Sequence, residues 1–282
     1  MTERKTAPAA VAEQGARNLV VRVIAALVLA PTAIAIAYVG RWPWTGLVTL
    51  GAIGLYVEWL MVVGRVHQKR VVAAGVIALA LGGISLAGGR IDAAIVVLVV
   101  GFAAVDLLSS KPHGWPAAGF VYAASAQIAS VLVRLDQTHG FVALMLILLV
   151  VWVTDIGDYF AGRGIGGPKL WPRVSPKKTW AGAVGGFAAS LAVSGAFVAF
   201  HLGNTGPLLG LGAALSIFSQ LGDLFESAVK RRFGVKDSSH IIPGHGGLLD
   251  RLDGFVAAVI IAAIVGLLRG GVDGVGRGLM IW

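Results

Sequence analysis

Long apolar runs separated by short polar breaks dominate this chain. A run of about 20 apolar residues is long enough to cross a hydrocarbon core of about 30 Å as a helix. Nine such spans are read, near residues 20–39, 44–64, 71–88, 91–108, 115–134, 140–161, 179–201, 206–229 and 248–268. The breaks carry turn and charge signals, as in Gly40-Arg41-Trp42-Pro43 and Gly64-Arg65. The expected fold class is therefore all-α, a polytopic transmembrane helix bundle. The first run is too long for a signal-peptide core and many spans follow it, so it reads as a retained helix. Residues 1–18 read as a disordered tail, 19–137 as N-terminal membrane helices, and 138–282 as C-terminal membrane helices with polar loops at 162–178 and 230–247.

Composition agrees with this pattern. Hydrophobic residues fill 57% of the 282 positions and charged residues only 13%, about half the share in a soluble domain. Cysteine is absent, which excludes disulfides and thiolate metal sites. The net charge of +9 would suit a nucleic-acid partner, but its distribution argues for membrane topology instead. With the N-terminus in the cytosol, 17 Lys and Arg fall in cytosolic segments and five outside, with Arg251 inside the last span. That bias follows the positive-inside rule and puts the C-terminus outside. The basic loops would also meet anionic lipid headgroups. The expected location is a bacterial-type inner membrane, with the chemistry facing the cytosol and no nucleic-acid partner.

Eight of the 14 acids lie inside spans: Glu58, Asp106, Asp155, Asp158, Asp223, Glu226, Asp250 and Asp253. All fall towards the cytosolic side of their spans. A carboxylate at the centre of a bilayer costs at least about 2.5 kcal/mol, so eight at one depth imply a shared, water-accessible cavity that demands cations. Glu58 and Asp106 are single acids near helix ends, and salt bridges or headgroup contacts account for them. The other six form pairs spaced i,i+3, which share a helix face and repel unless a cation sits between them.

Two loops complete the candidate chemistry. In Gly162–Trp180, glycines alternate with five basic residues, Arg163, Lys169, Arg173, Lys177 and Lys178. Successive N–H groups there can form an anion nest, and Ser175 or Thr179 could cap the next helix, whose N-terminus also favours phosphate. In the second region, Asp223, Ser227 and Lys230 recur at spacings that put them on one face of span eight. Asp250 and Asp253 then open span nine. Hard oxygen donors without cysteine favour Mg²⁺ over zinc. Carboxylates from two helices, basic loops and glycine turns make a kit for phosphoryl or nucleotidyl transfer. His245 could donate to phosphate, act as a general acid or serve only as a turn residue; His67, His113, His139 and His201 lie near span ends, where an interfacial place with no catalytic task is expected.

The stretch Ser227 through Asp253 resembles the signature of the phosphatidate cytidylyltransferases, or CDP-diacylglycerol synthases. The matching positions are Ser227, Lys230-Arg231, Lys236-Asp237, Ser239, Ile242, Pro243, His245-Gly246-Gly247 and Asp250-Arg251-Leu252-Asp253. Ser175-Pro176-Lys177-Lys178-Thr179-Trp180 is also similar to the family's. Two departures are Ala181, where the family commonly has an acid or amide, and Asp155-Ile156-Gly157-Asp158-Tyr159, where it has Asp-Gly-Ala-Tyr. The resemblance implies transfer of the cytidylyl group of CTP to phosphatidic acid, giving CDP-diacylglycerol and pyrophosphate. It further implies Mg²⁺, a second monovalent cation such as K⁺, and a homodimer. By analogy, Asp223 and Asp250 hold the metal, with Asp253 near it and Lys230 completing the catalytic set. Substrate contacts are then expected from Ser175, Lys177, Lys178, Ser227, Arg231, Lys236, Asp237, His245, Gly246, Gly247 and Arg251.

Two other classes compete. A CDP-alcohol phosphatidyltransferase would need further Ala-Arg and acidic positions after Asp253-Gly254, and these are missing. An ion-coupled transporter would place its carboxylates at mid-membrane depth between repeated halves, whereas here they lie to one side and no repeat is evident.

Overall fold

The computed structural model describes residues 27–110, 114–239 and 246–282. Its elements run α1 (Leu27–Val39), α2 (Arg41–Val62), α3 (Lys69–Ala87), α4 (Ile91–Leu108), α5 (Trp115–Leu135) and α6 (Gly140–Gly164). A hairpin of β1 (Lys169–Trp171) and β2 (Ser175–Thr179) follows, then α7 (Trp180–Ala199), α8 (Thr205–Arg232), α9 (Leu249–Gly270) and the short α10 (Val275–Met280).

The eight helices α2 to α9 are each long and apolar enough to cross a membrane, and they coincide with eight of the nine expected spans. The remaining span, 20–39, is described from Leu27 onward as α1; its earlier residues and the tail 1–18 lie outside the described residues. The chain is thus a multi-pass helical membrane protein. Outward-facing Ile95, Val96, Val99 and Val100 on α4 would be costly in water but cost nothing against lipid tails.

The helices alternate in direction and pack closely where side chains are small. Gly157 on α6 lies against the backbone of Gly185 and Gly186 on α7, where a Cβ would collide. This lets the two backbones approach, as small residues do between membrane helices. Around α2 the packing is instead aromatic. Trp59, Tyr56 and Phe120 are fully buried, and the indole N–H of Trp59 donates to the Trp115 carbonyl at 2.9 Å.

Two elements were not read from the sequence. The loop at 162–178 is partly a hairpin, antiparallel with Lys169 opposite Thr179 and Trp171 opposite Ser175. Its strands are of three and five residues, too short to stand out against the Gly, Pro and Lys around them. The segment after α9 turns back as α10 against α6 and α9, with Val275 and Leu279 in the core.

Asp136, in the α5–α6 turn, fastens that end. Its carboxylate accepts from the backbone N–H groups of Thr138 at 2.9 Å, His139 at 3.0 Å and Arg277 at 2.8 Å. Burial alone would raise its pKa, but these donors outweigh burial and hold the carboxyl below its ordinary 3.8. A depressed acid stabilises the fold above its unfolded pKa and loses that contribution as pH falls through the folded value. Asp136→Ala should therefore cost on the order of 2 kcal/mol at neutral pH. Thermal unfolding in detergent would detect it, and the gap from the native chain should close only below pH 3.8.

Candidate active site

The end of α6, the hairpin, the start of α7, the end of α8 and the start of α9 meet at one end of the bundle. Most of the sequence-predicted residues lie there. Thr179 begins the site's architecture as the N-cap of α7, its hydroxyl accepting from Gly182 N–H at 3.1 Å. That settles the choice of cap: Ser175 instead pairs within the hairpin. With α7 so anchored, Asp158 of α6 packs directly on Gly182, where no side chain would fit.

Two lysines bring the acid pairs together, Lys178 from the hairpin across α6 and α8, and Lys230 within α8 and across to α9. Lys178, at the end of β2, places its ammonium 2.5 Å from Asp223 Oδ2 on α8 and 3.6 Å from Asp158 Oδ2 on α6. Burial opposes its charge, but Asp223 and then Asp158 outweigh this and raise its pKa above the ordinary 10.5. Asp155 and Asp253 lie within electrostatic reach of the same group, and Arg251 is near Asp155. Ser227 donates to Asp223 at 3.4 Å, as their spacing on one helix predicts.

A second lysine builds the neighbouring cluster. Lys230 Nζ lies 2.7 Å from Glu226 Oε2 and 2.7 Å from Asp250 Oδ1. Asp250 also accepts backbone N–H groups from Ser238 at 3.1 Å and Gly247 at 3.1 Å. Both its oxygens are thus engaged, while Asp253 is the span-nine carboxylate within electrostatic reach of Asp223. For Asp250 to hold a metal, it must exchange the Lys230 ammonium for it.

The remaining sequence-predicted residues surround these clusters. Lys177, Arg231, Lys236, Asp237 and Arg251 are exposed, and Arg231 donates to the Val235 carbonyl at 3.2 Å. Gly246 has φ +82°, a left-handed conformation that favours glycine. His245 lies outside the described residues.

The expectation for Glu58 is corrected. It is fully buried and, among the described residues, forms no salt bridge; it accepts four hydrogen bonds from the segment around the signature loop. The available signal was a lone acid within the apolar Leu55-Tyr56-Val57-Glu58-Trp59-Leu60, since a charge in such surroundings needs several donors.

Among the described residues, no three acidic or imidazole groups converge as a ready metal cage. Mg²⁺ usually takes one or two carboxylates plus substrate phosphates and waters. The donors are hard oxygens, and Asp155, Asp158, Asp223 and Asp253 outnumber the cations Lys178 and Arg251 beside them.

The sequence profile of the cytidylyltransferase family matches residues 20–268. The chain belongs to the cytidylyltransferase family. It is 40% identical over 257 residues to the phosphatidate cytidylyltransferase of Brucella suis biovar 1 (strain 1330), covering 89% of this chain and 94% of that protein. The phosphatidate cytidylyltransferase of Brucella abortus biovar 1 (strain 9-941) matches to the same extent. That of Staphylococcus aureus (strain COL) is 50% identical over 123 residues, 43% of this chain and 47% of the relative. As a member of the cytidylyltransferases the chain is an enzyme, which sets aside the transporter and phosphatidyltransferase readings. The lysine-bridged carboxylates are then the candidate catalytic machinery of a cytidylyltransferase.

Proposed function

We propose that this enzyme transfers the cytidylyl group of CTP to phosphatidic acid, giving CDP-diacylglycerol and pyrophosphate, at the cytosolic face of a bacterial inner membrane. The observation that carries this is the meeting of Lys178, Asp158 and Asp223 at one end of a membrane bundle, beside Asp253. Relatives over nearly the whole chain bear the matching name, and the excess of Lys and Arg on the site's side supports the orientation.

A phosphate oxygen of the lipid attacks the α-phosphorus of CTP, and the bond from that phosphorus to the bridging oxygen of pyrophosphate breaks. A phosphate monoester is largely ionised at neutral pH, so no strong general base is needed. The chain's work is to bring two anions together and align them. Lys178, with Lys177 and Ser175 from the hairpin, holds the triphosphate or the lipid phosphate. Ser227, Lys230 and Arg231 approach from α8, while Lys236, Asp237, His245, Gly246, Gly247 and Arg251 line the substrate from the signature loop. Asp223 and Asp250, with Asp253, would hold Mg²⁺. When bound, that ion would neutralise charge developing on the phosphate oxygens. A monovalent cation such as K⁺ and a homodimer belong to the same proposal.

Pyrophosphate release from the purified enzyme in detergent with Mg²⁺ tests this reading. Release should require CTP and phosphatidate together, and ATP or GTP should not replace CTP. Equal release without phosphatidate, or none with both substrates, would sink it.

A further inference from the structure

The N-terminal helices carry none of the family motif, yet one of their side chains reaches into its centre. Glu58, near the end of α2, has no exposed surface. Its Oε1 accepts from Ser239 Oγ at 2.7 Å and Leu248 N–H at 2.8 Å. Its Oε2 accepts from Ser238 Oγ at 3.0 Å and Leu249 N–H at 2.7 Å. One carboxylate thus gathers both ends of the signature loop, which are far from it in sequence. Two of its donors are backbone N–H groups at the start of α9, which otherwise lack partners within the helix. No side chain of Leu248, the N-cap residue, serves them.

Gly247 belongs to the same arrangement. A Cβ there would overlap Ser238 Oγ and Glu58 Oε2, so this glycine leaves room for the clasp. Asp250 adds a second closure, accepting from Ser238 and Gly247 on the same stretch. Asp253 stands one turn further along α9 and within reach of Asp223.

We infer that Glu58 is a positioning residue: it clasps Ser238-Ser239 to Leu248-Leu249, and so sets the start of α9 and the placement of Asp250 and Asp253. This rests on the proposed function for its kinetic consequence, while the clasp itself stands on geometry. Glutamine at this position keeps the size but turns one acceptor oxygen into a donor. That amide would face a backbone N–H that has no other partner among the described residues, so the clasp opens on one side.

The experiment combines hydrogen exchange of the detergent-solubilised chain with steady-state kinetics, for Glu58→Gln and for the double variant Ser238→Ala/Ser239→Ala. In Glu58→Gln, amides of residues 246–253 should exchange faster while those of α6 and α7 keep native rates. Turnover should fall about tenfold, with the loss in kcat rather than in KM for CTP. The double variant, which leaves the bonds to α9 in place, should lose less, about threefold. Native exchange at 246–253 in folded Glu58→Gln would overturn the inference, as would kcat within twofold of native. Acceleration spread over the whole bundle would overturn it too, since that marks general destabilisation. If Glu58→Gln does not fold, the double variant decides by the same two readouts. Should the native enzyme release no pyrophosphate from CTP and phosphatidate, the proposed function fails, and the exchange measurement still judges the clasp.

Discussion

Asp223→Asn is expected to lower kcat by about a thousandfold while leaving a folded, membrane-embedded protein. The carboxylate is the nearer anchor of Lys178, at 2.5 Å against 3.6 Å for Asp158. The amide keeps the shape but not the charge. Lys178 would then turn towards Asp158, and the hydroxyl of Ser227 would lose its charged acceptor. Because the side chain is partly accessible and other acids stand close, the fold should tolerate the change. The effect should therefore appear in turnover rather than in the thermal midpoint. Pyrophosphate release per folded molecule, normalised by gel filtration in detergent, measures it. Turnover within tenfold of native would remove Asp223 from the machinery. Asp250→Asn offers a useful contrast, since Asp250 also fastens backbone at the start of α9 and should lose stability together with activity.

That contrast bears on what the sequence could disclose. Spans such as Ile91–Leu108 were legible almost to the residue, because a membrane helix must be apolar over a length fixed by the bilayer. The site's membership was legible for a related reason: acids such as Asp223 and Asp250 are costly in a span, so each marks a place with compensating cations. The pairing across elements was not legible. Neighbours at i,i+3 suggested a cation between Asp223 and Glu226, but the structure sends Asp223 to Lys178 and Glu226 to Lys230. Glu226 and Lys230 stand at i,i+4 on one helix, a local spacing. The reach of Lys178 to Asp223 and Asp158, and of Lys230 to Asp250, depends instead on how α6, α8, α9 and the hairpin pack. Glu58 was missed for the same reason: its donors lie far along the chain and two are backbone N–H groups, which carry no residue signature.

Lys230→Met should give the largest loss of stability among single changes at the site. Lys230 joins Glu226, whose side chain is 1% exposed, to Asp250, at 2.7 Å from each. Methionine fills similar volume without the charge, so the change isolates the ammonium. It would leave Glu226 buried beside Asp250 and Asp253 with no cation between them. Removing one partner of a buried ion pair typically costs about 3–5 kcal/mol, because the remaining charge cannot be solvated. The thermal midpoint of the solubilised protein should fall accordingly, and activity should fall with it, since Asp250 loses its fixed partner. A double variant separates the causes. Lys230→Met with Glu226→Gln removes the stranded charge as well, so it should recover much of the stability but little of the turnover. If the single variant is as stable as the native chain, the Lys230 bridge contributes nothing net. If the double variant is no more stable than the single one, the loss does not come from the stranded Glu226 charge. Recovery of stability without activity would place Lys230 in both roles, holding the acids apart in the resting enzyme and facing phosphate when substrate is bound.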